Sequence, residues 1–258
     1  MIGVIKDNII ALESMKKYPK SLFFKGDLSI LSRPKVSIVG TRKPSSYTQQ
    51  MTHILAKELA KRGVCVVSGG AMGVDAIAHK GASANNTIAV VATGLDIRYP
   101  AVNKNLIEEI ENNGLVLSQF KAGFRATPWS FVTRNELVVA LGDILIVTEA
   151  DLKSGSMRSV EFALAMKKKI FVLSQRVGES LATNQLLIEG KAEAIYDIEV
   201  FASMFGKSVD DGIEKDDFFY FCQTSPTFDE VVLKFGDRVY EAELEGLISI
   251  ENGRVRLS

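Results

Sequence analysis

The chain has 258 residues, 47% of them apolar, and equal numbers of basic and acidic residues. This length and composition predict one main domain with a full hydrophobic core and a small additional domain. No apolar run approaches the ~20 residues of a membrane-spanning helix, and residues 1–7 lack the layout of a signal peptide. Two distant cysteines, Cys65 and Cys222, and only two histidines predict a protein of the reducing cytoplasm without a structural zinc site.

The zero net charge hides an asymmetry along the chain. Residues 207–258 contain six basic and twelve acidic residues, so residues 1–206 carry a net charge of +6. The basic part predicts contact with a polyanion, and the acidic tail argues against the tail as the main DNA-binding surface.

The first 205 residues alternate apolar segments with amphipathic ones. Residues 1–35 are predicted to form a short N-terminal lead-in with an outer strand at 21–25. Residues 36–205 are predicted to form the main domain. Its strands are expected at 36–40, 64–67, 87–91, 115–118, 143–148 and 170–173, and its helices at 47–62, from 75 onwards, and at 104–112, 131–141 and 157–166. Residues 119–130 are expected to be irregular. Strands this apolar indicate a mostly parallel sheet covered on both faces, which is an α/β, Rossmann-like, doubly wound fold.

The tail has a different pattern. Residues 206–217 are polar and acidic and are predicted to form a linker. Three short helical segments follow, around 217–223, 227–234 and 238–245, and two strands, 247–250 and 254–257, flank a turn that contains Asn-Gly. Three helices followed by a hairpin predict a small winged-helix-like domain over residues 218–258. Its acidity favours protein contact over DNA contact.

The most informative stretch is residues 64–79, in which a strand leads through a glycine turn into a helix. Gly69, Gly70 and Gly73 have the spacing G-G-x-x-G, and Asp75 opens the helix. Such a corner can hold a phosphate on backbone N–H groups and the positive end of the helix. It can equally be a tight turn required for packing, because the spacing differs from the dinucleotide fingerprint G-x-G-x-x-G.

The loops that follow parallel strands meet at one edge of the sheet, where ligands bind. Here these loops are basic and rich in glycines and hydroxyl groups, so we expect them to contact phosphates. The candidate residues are Thr41, Arg42, Lys43, Gly69, Gly70, Lys153, Ser154, Gly155, Ser156 and Arg176. No Ser/His/Asp or Cys/His arrangement appears in these loops, which argues against a hydrolase.

Six segments stand in an order that resembles the DprA/Smf family, the DNA-processing protein A of bacterial natural transformation. They are 38–42 (IVGTR), 68–79 (SGGAMGVDAIAH), 94–100 (GLDIRYP), 131–135 (FVTRN), 149–156 (EADLKSGS) and 182–187 (ATNQLL). The resemblance spans about residues 20–190 and implies a non-enzymatic homodimer without a cofactor. It further implies binding of single-stranded DNA in a basic pocket of the Rossmann-like domain and help in loading the RecA recombinase.

The resemblance also implies roles for individual residues. Arg42 matches an arginine that grips a phosphate, and residues 153–156 match the loop that lines the same pocket. Arg134 and Asn135 match an Arg-Asn pair, and Phe131 precedes that pair, where the family presents an aromatic ring to DNA. Trp129 lies outside the matched pattern and is a candidate for a second stacking ring.

Each of these residues also has a structural interpretation. Arg42 can pair with Asp75 or Asp96, and Arg134 and Asn135 can order neighbouring loops instead of contacting DNA. Trp129 and Phe131 can be core anchors. Asp75 is expected to hold backbone N–H groups at a helix start, and His79 to pack or to form a hydrogen bond, rather than to catalyse a reaction. Non-specific binding of a single strand requires cations along the phosphates and aromatic rings for the bases, so the DNA interpretation is physically consistent.

Two enzymatic functions are alternatives to DNA binding. LOG-like nucleotide phosphoribohydrolases share a related core and carry P-G-G-x-G-T-x-x-E, in which the glutamate is catalytic. Residues 153–161 (KSGSMRSVE) lack the proline, the second glycine and the threonine, and Glu161 has the wrong spacing. An NAD-dependent oxidoreductase would require the dinucleotide fingerprint and an acidic ribose partner.

Overall fold

The computed structural model describes residues 2–206, 217–222, 224–244, 246–251 and 253–257. The chain forms two compact units, Met1–Val209 and Asp210–Ser258. Most of the predicted acidic linker, residues 207–216, lies outside the described residues. None of the described helices is both long and apolar enough to span a bilayer.

The described residues of the first unit form nine strands and seven α-helices. The strands are β1 (Gly3–Val4), β2 (Phe23–Gly26), β3 (Lys35–Val39), β4 (Cys65–Ser68), β5 (Thr87–Val90), β6 (Leu115–Ser118), β7 (Ile144–Val147), β8 (Ile170–Leu173) and β9 (Glu193–Ile195). The helices are α1 (Ser46–Ala60), α2 (Val74–Ala82), α3 (Lys104–Asn113), α4 (Pro128–Leu141), α5 (Gly155–Ala165), α6 (Leu181–Ile188) and α7 (Ile198–Ser203).

The strands form one sheet in the order β1-β2-β6-β5-β4-β3-β7-β8-β9. Strands β3 to β9 are parallel, and β2 pairs antiparallel with β6 and with β1. Successive strands run outwards from β3 to β6 in one direction and from β7 to β9 in the other. The direction therefore reverses between β3 and β7, which is where ligands bind in open α/β sheets. The predicted Rossmann-like, doubly wound fold is confirmed.

Both faces of the sheet are covered, because alternate residues of each strand point to opposite sides. Val36 and Ile38 pack with residues of α1, α2 and α7 on one face. Val39 and Cys65 pack with residues of α4, α5 and α6 on the other face. Each fully buried aliphatic side chain contributes roughly 1.5–3 kcal/mol, so these two layers hold the strand ends in fixed positions.

The N-terminal segment belongs to the same core. Leu12, Met15, Leu22 and Ile30 are buried and cluster with residues of α4. Its strand β2 is the expected outer strand, displaced to residues 23–26.

The start of helix α4 differs from the sequence prediction. The helix begins at Pro128, so the prediction that residues 128–130 are irregular is wrong. Thr127 and Ser130 form a reciprocal capping box, and proline occupies the first turn. Both features stabilise a helix start.

The described residues of the second unit form three helices followed by a hairpin. These are α8 (Asp217–Cys222), α9 (Phe228–Phe235), α10 (Arg238–Leu244), β10 (Ile248–Glu251) and β11 (Arg254–Leu257), with the two strands antiparallel. Its small core includes Phe218, Val231, Val239 and Val255. Whether this unit is a winged helix stays a prediction.

Candidate functional site

A cleft of about 510 Å³ lies at the carboxyl ends of β3 and β4, beside the point where the strand order reverses. Its walls come from the loops after β3, β4 and β7, from α4 and from the start of α5. The predicted residues that line it are Thr41, Arg42, Gly69, Phe131, Arg134, Asn135, Ser154, Gly155 and Ser156. Residues far apart in the sequence therefore meet at the sheet edge that the strand pattern predicted.

The remaining predicted residues lie outside this lining. Lys43 and Lys153 are exposed and adjoin cleft residues in the sequence. The carbonyl oxygen of Gly70 accepts a hydrogen bond from the side chain of Asn103 at 3.0 Å. Arg176 lines a separate groove with Ser45.

Trp129 also lies outside the cleft. Its ring packs edge-on against Phe120 and Phe124, with centroids 5.5 and 5.7 Å away. It is nevertheless 56% exposed, so it is neither a buried anchor nor a wall of the cleft.

Arg134 joins three segments beneath the cleft and is only 4% exposed. Its Nη1 donates to the carbonyl oxygens of Gly69 and Val90 and lies 3.7 Å from the carboxylate of Asp75. A Cβ on residue 69 would collide with this guanidinium and lie 2.6 Å from the Asp75 carboxylate, so any larger residue there would have to displace these side chains. These contacts favour a role for Arg134 in ordering the loops.

The start of helix α2 is already occupied by protein groups. The Val74 N–H donates to the carbonyl oxygen of Thr41 at 3.1 Å, and the Asp75 carboxylate accepts from the Ala71 N–H at 3.2 Å. Burial raises the pKa of Asp75, whereas Arg134 and the Ala71 N–H lower it. Gly73 has a φ of 76°, and a Cβ there would lie 2.5 Å from the Thr41 carbonyl oxygen. Of the two interpretations of the glycine stretch, this geometry favours the tight turn.

The start of helix α5 is different, because it opens on the cleft without a cap. Ser154 is the N-cap residue of this 11-residue helix, and its side chain makes no capping hydrogen bond. The hydroxyl groups of Ser154 and Ser159 are buried and have no hydrogen-bond partner among the described residues. A positive helix end beside free hydroxyl groups is suited to binding an anion.

Arg42 faces this cleft as an exposed cation. Neither expected carboxylate pairs with it, because Asp75 pairs with Arg134 and Asp96 accepts from the Gly123 N–H at 2.8 Å. No other ion pair of Arg42 is found within the described residues. Arg158, by contrast, pairs with Glu161 at 2.7 Å.

Two other titratable groups of the first unit, His79 and Cys65, are buried in its core. His79 shares a short hydrogen bond with Thr87 (2.6 Å), and burial lowers its pKa to about 3. Burial raises the pKa of Cys65 to about 12. Both groups are uncharged near neutral pH, and neither lines the cleft.

Ser159, like Arg158, is a polar cleft residue that the sequence analysis missed. It lies three residues after Ser156, so the two share one face of α5, and both line the cleft. The spacing S-x-x-S behind a glycine turn was the available signal.

Fold and site together define a Rossmann-like protein with a cleft at its topological switch point, lined by an exposed arginine and by the uncapped start of a helix. A family model for DNA recombination-mediator protein A matches residues 7–206. The chain belongs to the DprA/Smf family of DNA-processing proteins.

Individual relatives agree with this assignment. The chain is 32% identical over 192 residues to DNA processing protein DprA of Bacillus subtilis, covering 73% of this chain and 65% of that protein. It is 36% identical over 176 residues to DprA of Streptococcus pneumoniae, covering 67% of this chain and 62% of that protein. The chain thus spans less than two thirds of the length of these relatives.

A solved structure of DNA processing protein A from Helicobacter pylori is 44% identical and has a TM-score of 0.77, covering 79% of this chain and 95% of that one. The Helicobacter pylori protein has a single-stranded DNA binding mode. The Streptococcus pneumoniae DprA structure is 31% identical with a TM-score of 0.72, covering 80% of this chain and 74% of that one.

Proposed function

We propose that this protein binds single-stranded DNA by its phosphates in the cleft at the carboxyl edge of the sheet. The observation that carries the proposal is an unpaired arginine, Arg42, in the same cleft as the uncapped start of α5. Arginine donates two parallel hydrogen bonds to a phosphate, and the helix end adds N–H groups. The similarity to the Helicobacter pylori protein supports the choice of a single strand as the anion.

The other predicted residues have different roles in this proposal: some contact the phosphate, some shape the cleft and some lie further away. Ser154, Gly155 and Ser156 supply hydroxyl and backbone groups to a phosphate, and the exposed Lys43 and Lys153 extend the positive surface next to the cleft. Gly69, Arg134 and Asn135 shape the cleft. Gly70 maintains the turn next to the cleft, and Phe131 forms a wall of the cleft. Arg176 and Trp129 are proposed to contact the DNA strand further along the same sheet edge.

Membership of the family supports a proposal for the wider biological role. We propose a non-enzymatic mediator that protects incoming DNA and loads the RecA recombinase during natural transformation, acting as a homodimer in the cytoplasm without a cofactor. Family membership supports this role. The acidic second unit is proposed to contact protein rather than DNA.

The phosphoribohydrolase alternative is not favoured by the geometry. Its glutamate would have to meet a nucleotide in the cleft, whereas Glu161 pairs with Arg158 and lines a separate groove with Phe162 and Met166. No observation favours the oxidoreductase alternative.

Fluorescence anisotropy with a labelled thymidine dodecamer tests the proposal. We expect sequence-tolerant binding that weakens steeply with salt, because bound phosphates release counterions. Arg42→Ala is expected to weaken binding and to reduce the salt slope by about one. Lys57→Ala, which removes one exposed charge from α1 outside the cleft, is the matched control. Binding that ignores both salt and the Arg42 substitution would refute the electrostatic mechanism.

A further inference from the structure

Asn103 is a buried polar side chain that holds the turn between β4 and α2, residues 69–73 (the β4–α2 turn). Its Nδ2 donates to the carbonyl oxygen of Gly70 at 3.0 Å and to that of Ala71 at 2.9 Å. An amide group has two N–H donors, so this turn takes both. Asn103 is 8% exposed and does not itself line the cleft.

The contact is made at the expense of the local helix. Asn103 ends the short 3₁₀ turn Ala101–Asn103 and directly precedes α3, but its side chain forms no capping hydrogen bond with that helix. Asparagine at a helix start commonly accepts from the first N–H groups of the helix. Here its amide is directed to carbonyl groups that lie 33 and 32 residues earlier in the sequence.

The β4–α2 turn supports the backbone of Arg42 from behind. The N–H of Val74, directly after the turn, donates to the carbonyl oxygen of Thr41 at 3.1 Å. A Cβ on Gly73 would lie 2.6 Å from the carbonyl carbon of Arg42, so the two backbone segments are in direct contact. Because Asn103 holds the turn, it also determines where the backbone of Arg42 lies.

We infer that Asn103 is a positioning residue for phosphate binding, because it fixes through the β4–α2 turn the point from which Arg42 reaches into the cleft. This inference rests on the proposed binding of single-stranded DNA. Two parallel hydrogen bonds from a guanidinium group to a phosphate require the two groups to be aligned. Loss of Asn103 leaves the charge of Arg42 unchanged but removes this alignment.

The test is a double-mutant cycle on the full chain. Binding of a labelled thymidine dodecamer is measured for the wild type, Arg42→Ala, Asn103→Leu and the double variant. Leucine is a branched side chain of similar length that donates no hydrogen bond, so we expect Asn103→Leu to weaken binding by about tenfold, the scale of one hydrogen bond to a charged group. It should also lower the salt slope by about one, as Arg42→Ala does.

The double variant separates positioning from a general effect on the fold. It should bind less than about twofold more weakly than Arg42→Ala alone, because both substitutions remove the same contact. Asn103→Ala, which adds no bulk, is measured in the same cycle and should show the same coupling. Asn113→Ala is the matched control, because Asn113 donates to the carbonyl oxygen of Glu109 on the exposed surface of the same helix. It should change the affinity by less than about twofold.

The outcomes distinguish this inference from the proposed function. If the Asn103 variants lower the melting temperature but leave the affinity and the salt slope unchanged, Asn103 supports only the fold, and the inference is refuted. Additive effects in the double variant refute it as well, because Asn103 would then act independently of Arg42. If binding depends on neither salt nor Arg42, the proposed function fails, and the inference fails with it.

Discussion

The buried histidine of α2 makes the stability of the first unit depend on pH. Burial lowers the pKa of His79 from 6.5 to about 3, and its Nε2 has no hydrogen-bond partner in the described part of the chain. The unfolded chain therefore binds a proton at this residue between pH 6.5 and 3, whereas the folded chain does not. The stability contribution is complete above pH 6.5 and is lost as the pH falls towards 3.

The size of the effect follows from the two pKa values. One pH unit corresponds to about 1.36 kcal/mol, and pH 5 lies about 1.5 units below the unfolded pKa. We expect His79 alone to lower the free energy of unfolding by about 2 kcal/mol between pH 7.5 and pH 5. The variant His79→Gln, which can still form a hydrogen bond with Thr87, should lack this component.

Urea denaturation at the two pH values measures the difference. Trp129 is the only tryptophan in the sequence and belongs to the first unit, so its fluorescence reports the unfolding of that unit. His53→Gln, at an exposed position of α1, serves as the control and should behave like the wild type. An identical loss of stability in the wild type and in His79→Gln would refute the reasoning.

Three further changes test the cleft and test which of the two units contacts DNA. Gly69→Ala should displace the guanidinium of Arg134 and so lower both the melting temperature and the affinity for a thymidine dodecamer. Unchanged values would show that the position of Arg134 does not depend on the absence of a side chain at residue 69. Ser159→Ala should weaken binding by about 0.5–1.5 kcal/mol without lowering the melting temperature, because it removes a buried hydroxyl without a protein partner. A chain that ends at Phe205 should retain most of the DNA affinity, and a large loss would assign DNA contact to the second unit.

The sequence pattern predicted the fold well where burial dominates. Strands β3 to β8 are buried nearly throughout, so they appear as short apolar runs between glycines and helices. Strand β9, at the edge of the nine-stranded sheet, was not predicted because only Ile195 of its three residues is buried. Helix α6 was missed because its apolar residues follow no helical period, as in the run Leu186, Leu187 and Ile188.

The sequence could not show which helix start is free. Two loops, after β4 and after β7, had the composition of an anion site. Which of the two helix starts is free depends on contacts between residues far apart in the sequence. The carbonyl oxygen of Thr41 accepts from the N–H of Val74, and Arg134 pairs with Asp75, so the start of α2 is occupied. The same contacts bury Arg134, which the motif alone left open as a direct DNA contact.

The contacts of Arg134 affect both the rate and the affinity with which a ligand binds. One guanidinium fastens the ends of β4 and β5 to the helix that carries Phe131 and Asn135, so contacts within the protein itself hold a wall and a floor of the cleft in place. A preorganised receptor does not spend part of the binding free energy on ordering its own loops. Association should therefore be limited by the encounter and the ordering of the flexible strand rather than by rearrangement of the protein.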